Sequence, residues 1–239
     1  MPPFLPGRPR PLLVGHRGAP LEAPENSLAA FEAALRAGAD AVECDARRTA
    51  DGAVVLHHDE TLDRTTDGSG PVRERSLREI RGLRLRGGSD REGVPLLRDL
   101  LDLCRGRAGV MVEAKVDRPE EAIPLLDAIL LEVGPPDPGG ALALISFSPE
   151  AVSRAAERAP GLPRGITFES PFHASLALAL RPDLVTVERS LFRLPALAEI
   201  RAAGVEIFAY SLDTEADRAA AQAAGVTGWI TNLPGRGRG

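Results

Sequence analysis

The stretch "VECDARRTADGAVVLHH" (Val42–His58) decides how the chain folds. It joins two apolar runs, Ala41–Asp45 and Val54–His58, through too few residues for a parallel crossover, which takes about a dozen or more. Between them, Asp51-Gly52 is a strong signal for a two-residue hairpin turn. The second run is therefore expected to return antiparallel to the first. Comparable runs occur at Leu12–Val14, Val110–Ala114, Leu142–Ser146, Gly165–Phe168, Leu184–Val187, Glu206–Tyr210 and Gly228–Thr231, nine runs with the hairpin pair. Setting the returning strand aside leaves eight, alternating with helical patterns such as "SLAAFEAALRAG" (27–38) and "EADRAAAQAAG" (215–225). Strands alternating with helices imply a parallel sheet, and eight of them imply an α/β protein of the TIM-type (β/α)8 barrel class. The hairpin is then an excursion at the C-terminal mouth.

A single barrel domain over residues 1–239 accounts for the length. A polar insertion, residues 62–93, is expected over the site, and residues 235–239, "GRGRG", are expected to form a flexible tail. The net charge of −5 argues against a general nucleic-acid surface. Two cysteines, Cys44 and Cys104, supply neither a disulfide framework nor a zinc cluster. The opening "MPPFLPGRPRP" lacks the apolar centre of a signal peptide, and no run is long enough to span a membrane, so a cytoplasmic protein without stable membrane insertion is expected. Nothing in the pattern singles out an oligomer interface.

Alternation places Glu43 and Asp45 on one face of their strand and Cys44 on the other, toward the helices. A two-residue turn pairs Ala50 with Ala53 and thereby sets Asp45 opposite His58 and Ala46 opposite His57. Cross-strand partners share a face, so His58 is expected to join the carboxylates while His57 faces away; a bulge would exchange the two. Glu113 and Lys115 stand two apart at the end of another strand. Three carboxylates at one mouth repel unless a cation lies between them, and hard oxygen ligands suit Mg2+ or Ca2+. Lys115 is the only lysine in a chain otherwise furnished with arginine. A compact ammonium beside a metal site points to an anionic substrate. Each signal has a plainer reading. A lone E-x-D is more often a salt-bridged rim, Arg17 alone an ion-pair former, and Glu25 alone a helix-start carboxylate. His57 and His173 read as structural, and Asp59 and Arg64 as supports for the returning loop. Convergence at strand ends is what favours function.

The segment Gly15–Gly70 closely resembles the glycerophosphodiester phosphodiesterase family. It carries H-R-G, P-E-N-[ST], G-A-D-x-[IV]-E-x-D and D-G-x-x-V-x-x-H-D-x-x-L-x-R-T-T, and the likeness continues through "VEAK", Ser146-Phe147 and "GVTGWITNLP" to about Pro234. The resemblance implies a TIM-type barrel and metal-dependent hydrolysis of small-molecule glycerophosphodiesters to sn-glycerol 3-phosphate and an alcohol. It implies His16 and His58 as acid–base residues and Glu43, Asp45 and Glu113 as ligands of a divalent metal. Arg17 and Lys115 fall on the phosphate contacts, and Glu25 on a supporting site glutamate. Tyr210-Ser211-Leu212-Asp213 departs from the family's W-T-V-N, which leaves the head-group alcohol open. A lysophospholipase D-like activity and a non-catalytic phosphate-binding barrel are the alternatives.

Overall fold

The computed structural model describes residues 3–89, 92–134, 141–171, 174–191 and 193–236. In chain order the elements are β1 (Leu12–His16), α1 (Leu28–Arg36), β2 (Ala41–Arg48), β3 (Val54–Leu56), α2 (Leu77–Arg81), α3 (Leu97–Cys104), β4 (Gly109–Ala114), α4 (Ala122–Val133), β5 (Leu142–Ser146), α5 (Pro149–Arg158), β6 (Arg164–Phe168), α6 (Ala174–Ala179), β7 (Leu184–Glu188), α7 (Ala196–Ala202), β8 (Glu206–Tyr210), α8 (Glu215–Ala223) and β9 (Gly228–Thr231). Eight strands run parallel in the order β1-β9-β8-β7-β6-β5-β4-β2, and pairing of β1 with β2 closes the barrel. Strand β3 lies outside the ring, antiparallel on β2. Helices α2 and α6 are too short to announce themselves by periodicity.

The inward residues of the strands form one core: Leu12, Val14, Ala41, Met111, Ala143, Ile145, Leu184, Phe208 and Ile230. Their neighbours Val42, Cys44, Ala46, Val110 and Val112 face the helices, so Cys44 sits in the barrel–helix layer as its alternation predicts. Phe4 and Leu5 join the inner core. They stop its N-terminal end, where a Cβ on Gly109 would come within 2.9 Å of both. Glu206 secures this plug by accepting from the Phe4 N–H at 2.9 Å and from Arg10 Nη2 at 2.6 Å. At the opposite end, β1 passes into α1 through a tight turn. Gly18 takes φ +89°, and a Cβ there would meet Ala30 backbone at 2.5 Å. Ser27 caps α1 by accepting from Ala30 N at 3.0 Å.

The hairpin register differs by one residue from the sequence expectation. Ala46 faces Leu56, Arg47 faces Val55 and Arg48 faces Val54. The loop holds three residues, Ala50 to Gly52, because Thr49 N donates to Ala53 O at 2.9 Å while Thr49 Oγ1 accepts from Ala53 N at 2.9 Å. Asp51 serves other donors, Thr49 Oγ1 at 2.6 Å and Leu77 N at 2.9 Å, and Gly52 alone takes the left-handed φ of +91°. The residue opposite Asp45 is thus His57, whose N–H donates to Asp45 O at 2.9 Å. Alternation lapses past Leu56, however. His57 is buried with Nε2 2.9 Å from Thr61 O, and it is His58 that turns to the barrel mouth. Arg47 holds this departure, donating to His58 O from Nε at 2.9 Å and from Nη2 at 2.6 Å while it pairs with Asp117.

The segment from Leu62 to Gly93 has a small core of its own, Leu62, Val72, Ile80 and Leu85 against Val55, Val94 and Leu96. Gly235 and Arg236 close a 3-10 turn, and the rest of the expected tail lies outside the described residues, as does His173. Among the described residues no helix is long and apolar enough to cross a membrane.

Candidate active site

Parallel register assembles the mouth. His16 lies beside Glu43 across β1 and β2, and Asp45 lies beside Glu113 across β2 and β4. Glu43 and Asp45 are almost wholly buried, as is Glu113, and one carboxylate oxygen of each lies within 4.8 Å of the others. Like charges so close repel by roughly 3–4 kcal/mol per pair at an effective dielectric constant near 20. Two cations offset part of this. Lys115 Nζ stands 2.6 Å from Glu113 Oε1 and 3.1 Å from Asp45 Oδ1, and Arg17 Nε stands 3.1 Å from Asp45 Oδ2. Glu43 has less support. Its Oε2 accepts from the Arg17 backbone N–H at 3.0 Å, while its buried Oε1 has no hydrogen-bond partner among the described residues.

Titration follows from these neighbours. Burial, Asp45 and Glu113 push the Glu43 carboxyl well above its ordinary range. Burial opposes the charge on Asp45 too, but Lys115 and Arg17 hold that group well below the usual carboxylate range. Burial raises Glu113, with Asp45 adding to the effect against the pull of Lys115. Lys115 is raised despite its burial because Asp45 and Glu113 face it. A buried, unpartnered oxygen inside an all-carboxylate cluster fits a hard divalent cation.

The two histidines flank this cluster and line a cavity of about 100 Å³ with Arg17, Glu43, Glu113, Lys115 and Phe147. His16 Nε2 is 4.0 Å from Glu43 Oε2. Burial and the adjacent Arg17 push its pKa down to about 4. Burial lowers His58 as well, assisted by Lys115 and Arg17, while its Nδ1 lies 2.7 Å from Asp59 Oδ1. The His16 ring is therefore neutral near pH 7. Asp59 is in turn bridged by Arg64 to Glu25, with Arg64 Nε 2.6 Å from Asp59 Oδ2 and Nη2 2.7 Å from Glu25 Oε1. Glu25 also accepts from Arg17 Nη1 at 3.1 Å, so it belongs to the site's ionic network rather than to the start of α1.

All eight residues singled out in the sequence thus gather at the C-terminal mouth. Others were not singled out. Asn26 holds Asp45 from both sides, donating from Nδ2 to Oδ2 at 2.7 Å and accepting from Asp45 N at 3.1 Å. Asn232 and Ser211 approach His16, and Asp213 grips Asn232. Asn26 lay in plain view inside P-E-N-S. Asp213 and Asn232 stand just beyond the ends of β8 and β9, positions where polar residues deserve suspicion in any barrel.

Carboxylates, imidazoles and cations sharing the mouth of a parallel barrel define a TIM-barrel hydrolase equipped for an anionic centre. The chain belongs to the glycerophosphoryl diester phosphodiesterase family, whose model matches residues 16–236. It is a phosphoric diester hydrolase of glycerophosphodiesters. It is 30% identical to a glycerophosphodiester phosphodiesterase of Caldanaerobacter subterraneus subsp. tengcongensis over 93% of this chain and 94% of the relative. A Bacillus subtilis glycerophosphodiester phosphodiesterase is also 30% identical, over 94% and 84% respectively. Among solved structures, a glycerophosphodiester phosphodiesterase from Agrobacterium tumefaciens superposes with a TM-score of 0.75 at 35% identity, covering 94% of this chain and 97% of that one. An Oleispira antarctica phosphodiesterase in complex with the product sn-glycerol-3-phosphate superposes with a TM-score of 0.85 at 25% identity, covering 95% of each chain.

Proposed function

We propose that this protein hydrolyses glycerophosphodiesters to sn-glycerol 3-phosphate and an alcohol with Mg2+ or Ca2+ held by Glu43, Asp45 and Glu113. The observation that carries the metal is the buried, unpartnered Glu43 Oε1 inside a cluster of three carboxylates. A divalent cation there would supply a Lewis acid for a non-bridging phosphoryl oxygen. Arg17 and Lys115, on the cavity wall beside those carboxylates, bind and orient the phosphoryl group. Glu25 supports Arg17. His16 and His58 divide the proton work. One ring removes the proton from the attacking hydroxyl, and the other delivers a proton to the departing alkoxide. The product complex of the Oleispira antarctica relative supports this substrate class.

The first nucleophile is assigned to the substrate's own neighbouring hydroxyl. Attack from within avoids much of the entropic cost of positioning a separate water, and it yields a five-membered cyclic phosphate that water then opens. Arg64, reaching from the 62–93 insertion to Glu25 and Asp59, supports the reading of that segment as a cover for the site. The test is a panel of glycerophosphodiesters assayed with and without chelator. Hydrolysis that is abolished by chelator and restored by Mg2+ or Ca2+ is expected; full activity after dialysis against excess chelator overturns the metal role. An analogue lacking only the free hydroxyl is expected to bind without turning over, and its hydrolysis at a similar rate would make water the first nucleophile.

A further inference from the structure

His16 Nδ1 lies 2.8 Å from Asn232 Oδ1 and 3.4 Å from Ser211 Oγ. An amide oxygen and nitrogen can exchange places, and a neutral histidine has two tautomers, so distance alone leaves both undecided. Asp213 decides them. Its ionised carboxylate can only accept. Oδ1 accepts from Thr231 Oγ1 at 2.9 Å and from Asn232 N at 2.7 Å, and Oδ2 accepts from Asn232 Nδ2 at 2.7 Å. The Asn232 amide must therefore turn its NH2 to Asp213 and its oxygen to His16. That oxygen can only accept, so the His16 proton resides on Nδ1. The lone pair is left on Nε2, the nitrogen that faces Glu43 and the cavity.

We propose that Asp213 and Asn232 are positioning residues that hold His16 as its Nδ1–H tautomer, with the Nε2 lone pair aimed at the substrate. The inference deepens the acid–base reading of His16 and rests on it. Asp213 acts only through Asn232, and Asn232 only through the imidazole. The wrong tautomer would aim an N–H into the cavity where an acceptor is needed, and ring orientation would lose its anchor. Ser211 shares the Nδ1 proton at longer range and cannot choose the tautomer, because a hydroxyl both donates and accepts.

Nitrogen-15 shifts of the His16 ring in the full chain at neutral pH, read alongside steady-state kinetics, test this. The wild-type ring is expected to be protonated at Nδ1. Asp213→Asn keeps the shape but lets the 213 side chain donate as well as accept. The Asn232 backbone N–H keeps the 213 amide oxygen, so the 213 NH2 turns the Asn232 oxygen toward itself and the Asn232 NH2 toward His16. A shift toward the Nε2–H tautomer is expected, with kcat falling about 10–100-fold, the usual cost of losing such an outer partner, and KM within about 3-fold. The double exchange Asp213→Asn with Asn232→Asp re-creates a single solution, since the 232 carboxylate accepts from both the 213 amide and His16 Nδ1. It is expected to restore the Nδ1–H tautomer and most of kcat. Should Asp213→Asn fail to fold, Asn232→Ala removes the acceptor while Asp213 keeps its bonds to Thr231 and to the backbone. An Nε2–H ring in the wild type, or an unchanged tautomer in these single variants, overturns the proposal. An altered tautomer with unchanged kcat leaves the relay standing and overturns the acid–base role of His16 instead.

Discussion

At the scale of single residues, the site is a contest between burial and charge compensation. Glu43 is the least compensated member. Its folded carboxyl titrates above its unfolded value, so its contribution to stability is present below pH 4.5 and is lost as pH rises through the folded value. Glu43→Gln cannot ionise. In chelated protein, urea unfolding is expected to show this variant gaining on the wild type as pH goes from 5 to 8. The same substitution should remove most of the stabilisation that millimolar Mg2+ or Ca2+ gives the wild type. A gain independent of pH would place the Glu43 charge elsewhere in the balance. Lys115 answers to geometry instead. Its ammonium fits between Asp45 and Glu113 with only 13% of the side chain exposed. Lys115→Arg keeps the charge but substitutes a wider planar group for a compact one. A fall of about 10-fold or more in kcat/KM is expected, and near-wild-type kinetics would reduce Lys115 to a generic charge.

At the scale of elements, the β2–β3 hairpin delivers two adjacent histidines to different fates. His58 is released to the mouth by the end of pairing at Leu56, while His57 is sealed behind it. His58→Ala is expected to lower kcat about 100-fold or more, the usual scale of acid–base effects. His57→Ala should leave kcat within a few-fold but lower the unfolding free energy by about 1–3 kcal/mol, because Thr61 O loses a buried partner. Kinetics and denaturant midpoints on the two variants separate these outcomes. An inactive, stable His57→Ala would mean that the chain beyond Leu56 keeps its alternation. The turn itself offers an independent check. Gly52→Ala must hold φ +91° and is expected to cost about 1 kcal/mol in urea unfolding.

At the scale of the whole molecule, the barrel separates stability from chemistry along its axis. The N-terminal end is stopped by Phe4, fully buried against Phe208 with ring centroids 6.2 Å apart. The carboxylate cluster and the two histidines His16 and His58 occupy the other end. Phe4→Ala is expected to destabilise by about 3–5 kcal/mol through the cavity it leaves, with kcat at low temperature unchanged. A proportional loss of kcat would show that the plug and the mouth are mechanically linked.

The sequence by itself determined the architecture and the membership of the mouth. A short link between Asp45 and Val54 forbids a crossover whatever surrounds it, and that local fact reduces nine runs to an eight-stranded barrel. Period-two alternation likewise places Glu43 with Asp45, and Cys44 away from them, because pleating is a property of any strand. Tertiary structure alone decided what depends on partners distant in the chain. Thr49 and the amide of Leu77 claim Asp51 and lengthen the turn by one residue, so His58 reaches the mouth without the cross-strand pairing expected to bring it. Phe4 and Leu5 carry no periodicity, and only the open end of a closed barrel gives them a place. The tautomer of His16 rests on Asp213 and Asn232, about two hundred residues away in sequence, because hydrogen-bond direction is settled by neighbours in space rather than along the chain.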